Sequence, residues 1–222
     1  MIALFDFDGV VMDTEKQYTS FWNNIGEKYL GVRNLSDEIK GQTLVQIYSS
    51  HFSGMEKEKE EITANLNAFE KEMPYELVPG VLDFMNVLKA AGVPMAIVTS
   101  SNAEKMANVY RHYPELKPLV VHIYTSEFFT KSKPDPECFL LAMKELGGTE
   151  TDTVIFEDSV NGLKAARATG AAVIGLTTSN PEEVVREMSD MCINDFTHMT
   201  INAARHVIEL HNSRQPRHLI ND

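Results

Sequence analysis

The chain has 222 residues, 43% of them hydrophobic and 23% charged, the make-up of a globular protein long enough to bury roughly 70–75% of its unfolded surface with no disulfide or metal to hold it. A formal net charge of −12 repels phosphate backbones and anionic headgroups, which excludes nucleic acid and membrane surfaces as partners but leaves open a small phosphorylated substrate, because one Mg²⁺ and one lysine invert the potential locally. Cys138 and Cys192 form no CxxC pair and read as buried free thiols of a reducing compartment, and with no signal peptide and no apolar run near ~18 residues a cytoplasmic monomer is expected.

In chain order, Ile2-Ala3-Leu4-Phe5 opens as a buried strand that runs into Asp6-Phe7-Asp8-Gly9. Strand side chains alternate, so Asp6 and Asp8 share a face, and Gly9 lets the backbone turn sharply after them. Residues 14–78 show no strand pattern. They are polar and helical, and the Glu and Lys run over 56–61 reads as a solvated helix face. Pro79-Gly80 marks the return to strands and helices in alternation: a strand over 93–99, a helix over 102–110 and a β-branched, aromatic run over 119–124. A helix over 135–146 follows, with Asp135 as its cap, Pro136 at its first position and Gly147-Gly148 at its end. Next come a strand over 153–156, a helix over 159–169 ended by Gly170, a strand over 171–176, a helix over 181–188 and a short strand over 191–193. Gly162, Ala165, Ala166 and Ala168 are small enough for their helix to pack close on the sheet. Residues 211–218 read as a loosely held polar tail.

Repeated βα units with continuous apolar strands predict an α/β, Rossmann-like parallel sheet covered by helices on both faces. The core takes residues 1–13 and 79–222. Residues 14–78 form a small all-helical cap domain inserted after strand one, over the sheet edge where open α/β folds bind ligands.

Four groups fall at the C-terminal ends of the predicted strands. Asp6 is the candidate nucleophile, since a carboxylate attacking phosphorus forms an acyl-phosphate and divides a hard hydrolysis in two. Asp8 is the candidate general acid/base, and Asp13 reads as a helix cap or supporting group. Thr99 offers a hydroxyl and nearby N–H groups to a phosphoryl oxygen; Ser100 and Asn102 beside it are further substrate contacts, and Ser101 or Asn102 caps the next helix. Lys133, just before Pro134, is placed to neutralise charge between Asp6 and a phosphate. Asp158 is a candidate direct ligand of Mg²⁺, and Glu157 a water-bridged one.

The ordered set Asp6-Phe7-Asp8-Gly9-Val10-Val11-Met12-Asp13-Thr14, Thr99, Lys133-Pro134 and Phe156-Glu157-Asp158-Ser159-Val160-Asn161-Gly162 resembles the motifs of the haloacid dehalogenase superfamily of phosphotransferases. The last motif and the helical insertion are similar to the subgroup of β-phosphoglucomutase and small sugar-phosphate phosphatases. The resemblance implies Mg²⁺ held by Asp6, the main-chain oxygen of Asp8, and Asp158. It also implies phosphoryl transfer rather than C–halogen chemistry, because the dehalogenating members lack the second aspartate. Two departures bear on the substrate. Tyr18 stands where the mutases carry a histidine, and Lys40-Gly41 is followed by Gln42-Thr43-Leu44 with no arginine for a distal phosphate. Tyr18, Gly41 and Gln42 are therefore the expected cap-side contacts, and Lys71 is a distant substitute for the missing arginine. A phosphatase acting on a small phosphorylated metabolite, a sugar phosphate above all, is the expectation. A phosphosugar mutase is the runner-up, and a non-catalytic phospho-acceptor module like a receiver domain a third reading.

Overall fold

Four consecutive buried apolar residues, Ile2–Phe5, form β1 at the centre of one parallel sheet. The structure, a computed structural model, describes residues 1–214. Among these, β2 (Met95–Val98), β3 (His122–Tyr124), β4 (Thr153–Glu157), β5 (Ala172–Leu176) and β6 (Met191–Ile193) complete a six-stranded sheet in the order β3-β2-β1-β4-β5-β6. Every pairing is parallel, with Phe5 opposite Ile97 on one side and Phe156 on the other. The sheet order reverses at β1, which opens a crevice beyond its C-terminal end.

Alternation along the strands supplies both faces. Ala3, Phe5, Ile97, Val154 and Phe156 point to one side, where they meet α5 (Val81–Ala90), α6 (Ala103–His112), α7 (Leu116–Leu119) and α11 (Ile201–Arg214). Phe5 and Phe156 stack there at 4.6 Å. Ile2, Leu4, Ala96, Val98 and Ile155 point the other way, against α8 (Glu137–Leu146) and α9 (Val160–Ala168), with α10 (Glu182–Glu187) at the end of that layer. Side chains as large as Phe5 contribute roughly 1.5–3 kcal/mol each on burial, which is why strands of three to five residues suffice.

Four helices separate β1 from α5: α1 (Glu15–Leu30), α2 (Leu35–Ile39), α3 (Leu44–His51) and α4 (Glu56–Glu72). They enclose an apolar cluster of their own, built on Trp22, Leu35, Phe52, Ile62 and Leu66. The chain enters and leaves this bundle through one narrow neck, where Met12 bridges Leu77 and the Val78 N–H donates to Val11 O. Gly80, with φ +77, makes the turn into α5; a Cβ there would fall 2.6 Å from the Phe196 backbone.

Several local readings change. Asp135 accepts from the Glu137 N–H at 3.0 Å as a cap should, although α8 itself begins at Glu137. Leu119 belongs to α7 rather than to a strand. Cys138 is buried but Cys192 only partly so. Residues 211–214 are not a loose tail: they close α11, and His211 is buried with Nδ1 3.0 Å from Asp190 and Nε2 2.9 Å from Gly170 O. An apolar face on α11 carries this otherwise polar segment into the fold. Residues 215–218 lie outside the described residues. No described helix is long and apolar enough to cross a membrane.

Candidate active site

Parallel strands deliver their C-terminal ends to one edge, so the residues that follow β1, β2 and β4 converge. These are Asp6, Thr99 and Asp158; Lys133 joins them from the loop before α8. Lys133 is 1% exposed, and its Nζ donates to Asp6 Oδ1 and Glu157 Oε1, each at 2.7 Å. The second Glu157 oxygen accepts from the N–H groups of Asp158 and Ser159 at 2.7 and 2.8 Å. Gly162 lets its helix approach the sheet as expected, and closely: a Cβ there would fall 1.7 Å from Oε1 of Glu157, the last residue of β4. Ala168, read above as a packing residue, faces solvent. Ser159 caps α9 by accepting from the Gly162 N–H, which leaves the Asp158 carboxylate free of that task.

Asp158 Oδ2 accepts from Ser179 Oγ, while Oδ1 is buried with no hydrogen-bond partner. Asp6, Glu157 and Asp158 each bring one carboxylate oxygen within 4.8 Å of the others. Burial pushes the Asp6 carboxyl up to about 8 against the charge of Lys133, with Glu157 adding to the rise. Burial, then the Glu157 charge, holds Asp158 well above the usual carboxylate range. Three acids thus face one lysine. An orphan carboxylate oxygen, hard oxygen donors and surplus negative charge together fit a divalent cation such as Mg²⁺. Both Glu157 oxygens are engaged already, so the open donor atoms are those of Asp6 and Asp158. Gly9 lets the loop after β1 pass this close: its φ is +76, and a Cβ would fall 2.0 Å from Asp158 Oδ2.

The Asp8 carboxylate lies outside that cluster and is clamped elsewhere. Lys105 Nζ donates to both its oxygens at 2.5 and 2.6 Å, Thr14 Oγ1 to Oδ1 at 2.5 Å, and Ser101 Oγ to Oδ2 at 2.8 Å. Burial alone would raise the Asp8 carboxyl; the Lys105 charge and these bonds outweigh it and hold it below the usual range. Asp13 does not cap α1. The N-cap is Thr14, which gives its hydroxyl to Asp8 and makes no capping bond. Asn102, not Ser101, caps α6. Thr99 Oγ1 accepts from the Ser101 N–H at 3.0 Å and stays at the cavity wall.

Lys105 is the main residue missed by sequence reading. It is 2% exposed, with Nζ 4.4 Å from the Tyr18 ring centre. A signal existed: with Asn102 as cap, Lys105 falls on the same helical face as the buried Met106 and Val109. The roles of Thr14 and Ser179 as carboxylate donors, and that of Ser101 beyond a candidate helix cap, are likewise not read from sequence, because they depend on which carboxylate the fold brings to them.

A cavity of about 150 Å³ opens between this edge and the four-helix insertion, lined by Asp6, Asp8, Thr99 and Asp158 below and by insertion residues above. Tyr18, Gly41, Gln42, Ser100 and Asn102 all line it. The insertion is closed on the sheet edge: Lys40 Nζ donates to Ser179 O at 3.1 Å, Asn161 Nδ2 to Lys40 O at 2.9 Å, and Ser100 Oγ to Gly41 O at 3.0 Å. Tyr18 OH donates to the buried Glu70 Oε1 at 2.7 Å, so its polar tip is already partnered. Among the described residues no arginine lines the cavity, and Lys71 is exposed and away from it.

A family model described as haloacid dehalogenase-like hydrolase matches residues 1–170. The chain is 26% identical over 203 residues to validoxylamine A 7'-phosphate phosphatase of Streptomyces hygroscopicus subsp. limoneus, covering 88% of this chain and 94% of that protein. It is 27% identical over 211 residues to the beta-phosphoglucomutase of Bacillus subtilis (strain 168), covering 86% and 91%. The crystal structure of beta-phosphoglucomutase from Clostridium difficile superposes with a TM-score of 0.80 over 96% of this chain and 100% of that one, at 18% identity, a likeness of fold.

Proposed function

We propose that this chain, which belongs to the haloacid dehalogenase-like hydrolases, hydrolyses the phosphomonoester of a small metabolite through a phosphorylated Asp6. The carrying observation is Asp6 itself. One of its oxygens is held by Lys133, while the other has no hydrogen-bond partner among the described residues and lines the cavity. Asp6 and Asp158, with the main-chain oxygen of Asp8, would hold Mg²⁺. Bound there, the ion would neutralise the phosphoryl oxygens and the surplus acid charge.

The Asp6 carboxylate attacks phosphorus and the bond to the leaving oxygen breaks. A phosphoryl dianion beside Asp8 raises that carboxyl's proton affinity, and the proton taken up on binding passes to the leaving oxygen. A water then attacks phosphorus, Asp8 takes its proton, and the Asp6–phosphorus bond breaks to release inorganic phosphate. Acid–base help of this kind is worth roughly 10²–10⁴ in rate. Lys133 stays paired with Asp6 throughout, and Thr99 and the N–H groups after it hold phosphoryl oxygens. The residue 14–78 insertion acts as a cap that opens for exchange and closes to exclude water. Phosphatases and a phosphoglucomutase are both among the relatives. A cavity without arginine among the described residues supports hydrolysis, since a mutase must grip a second phosphate.

Phosphate release from p-nitrophenyl phosphate with and without Mg²⁺, run beside isomerisation of β-glucose 1-phosphate, tests this. Mg²⁺-dependent turnover without isomerisation is the expected result. Stoichiometric phosphorylation without turnover would refute hydrolysis, and isomerisation would turn the reading to a mutase.

A further inference from the structure

The loop between β5 and α10 stands behind the acids and not in the cavity. Thr178, Ser179 and Asn180 are consecutive in it, and none of them lines the cavity wall. Each gives one side-chain donor to the loops that follow β1 and β4, which carry the acids. Thr178 Oγ1 donates to Gly9 O at 2.6 Å, Ser179 Oγ to Asp158 Oδ2, and Asn180 Nδ2 to Asp158 O at 2.9 Å. The loop is itself anchored on two sides: Thr177 Oγ1 donates to Asn194 Oδ1 at 2.7 Å, and Lys40 Nζ to Ser179 O at 3.1 Å. Glu15 is a second acceptor beside the Ser179 hydroxyl, and Lys40, 3.7 Å from it, offsets its charge and lessens its claim on that proton.

An aspartate turns about two side-chain bonds, so a ligand oxygen is aimed only when other groups hold the carboxylate. Asp158 meets that condition. Its Oδ2 takes the Ser179 hydroxyl, its main-chain oxygen takes the Asn180 amide, and its Oδ1 is buried and unpartnered. Rotamer and backbone are both set, and one oxygen is left open in a cluster of acids within 4.8 Å of one another. Gly9 is held by both its main-chain groups: its N–H donates to Met12 O at 2.7 Å and its oxygen accepts from Thr178. The adjoining Asp8 carbonyl is fixed with it. The residue types matter. A lysine behind Asp158 would pair with the carboxylate and compete with a cation, whereas hydroxyl and amide donors hold it against the repulsion of its neighbours without adding charge.

We propose that Thr178, Ser179 and Asn180 are positioning residues for the divalent cation: they hold Asp158 and the Asp8–Gly9 loop in ligating geometry before the ion arrives, and Ser179 sets which oxygen of Asp158 stays free. This rests on the metal site proposed above, made of Asp6, Asp158 and the main-chain oxygen of Asp8.

Mn²⁺, which takes the same octahedral oxygen shell as Mg²⁺, is the probe. Electron paramagnetic resonance counts the free ion over the whole chain without substrate, so the reading does not pass through turnover. Ser179→Ala should weaken Mn²⁺ binding by about tenfold or more, and Asn180→Ala and Thr178→Val by several-fold each. The metal-free Tm of each variant should stay within about 4 °C of wild type, the effect of one lost hydrogen bond in a chain of this size. Thr177→Val removes a donor from the same loop on the side away from the acids, and should leave the affinity within about twofold of wild type. Circular dichroism identifies a variant that does not fold, and the other two then decide. Wild-type affinity in these variants, with Asp158→Asn losing the ion, overturns the inference and leaves the metal site standing. An equal loss in Thr177→Val also overturns it, because general loosening of the loop is then the cause. No Mn²⁺ binding by the wild-type chain, or wild-type affinity in Asp158→Asn, overturns the metal site itself and the inference with it.

Discussion

Replacing Lys105 with methionine removes the charge that faces Asp8 and keeps most of the buried stem. Exposed ion pairs are worth about 0.2–1 kcal/mol, whereas stripping one partner from a fully buried pair costs about 3–5 kcal/mol. This pair lies between those limits, because Lys105 is 2% exposed and the Asp8 side chain 21%. Thr14 and Ser101 still donate to Asp8 after the change, so a loss of about 2–3 kcal/mol is expected. For a chain of this size that lowers Tm by about 4–12 °C. Asp8→Asn leaves Lys105 with an amide oxygen, Ser101 Oγ at 3.0 Å and the Tyr18 and Phe7 rings at 4.4 and 5.5 Å, and should cost about 1–2 kcal/mol. The double variant carries neither charge and should be no less stable than the worse single one, a coupling of at least about 1–2 kcal/mol. Urea unfolding of the four proteins, followed by circular dichroism, measures it. Additivity within about 0.5 kcal/mol would refute the claim that this pair ties α6 to the loop after β1.

Asp6→Asn should leave less than about 1% of phosphatase activity while the protein stays folded; a larger residue of turnover in a steady-state assay would remove Asp6 as nucleophile. Gly162→Ala drives a methyl into the Glu157 carboxylate, 1.7 Å away, and should cost about 1–3 kcal/mol and disturb the Lys133–Asp6 pair; wild-type Tm and activity together would contradict that packing. Asp190 predicts a pH dependence. Its carboxyl opposes the cost of burial by accepting from the Val173 N–H and by facing His211 and Arg167, which holds it below the usual carboxylate range. A depressed folded-state value stabilises above the unfolded one and is lost as pH falls through the folded one. Asp190→Asn should therefore be less stable than wild type near neutrality, with the gap closing below about pH 4; a gap of constant size across that range would count against the assignment.

The chemistry was legible because it follows strand ends. Asp6, Thr99 and Asp158 are each recognisable from an apolar run that stops at a polar residue, and parallel topology brings such stops to one edge; Lys133 is recognisable instead from its place before Pro134 at a helix start. The element order was legible for the same reason: period-two and period-3.6 patterns are local, and a parallel sheet follows from their alternation. Side-chain partnership was not. Lys105 reads as one charge on an exposed helix until α6 is docked against β1, and Glu70 as one acid in a charged run until α4 closes over Tyr18. Both are pairings across many residues of chain, and no local spacing encodes them. Ser36 shows the same limit in its simplest form, a serine in a short helix whose hydroxyl burial leaves without a hydrogen-bond partner. The sequence by itself therefore determined which polar groups meet at the sheet edge and on what frame. Tertiary packing alone decided how the Asp8 charge is held and which side chains line the cavity, because desolvation acts on neighbours in space.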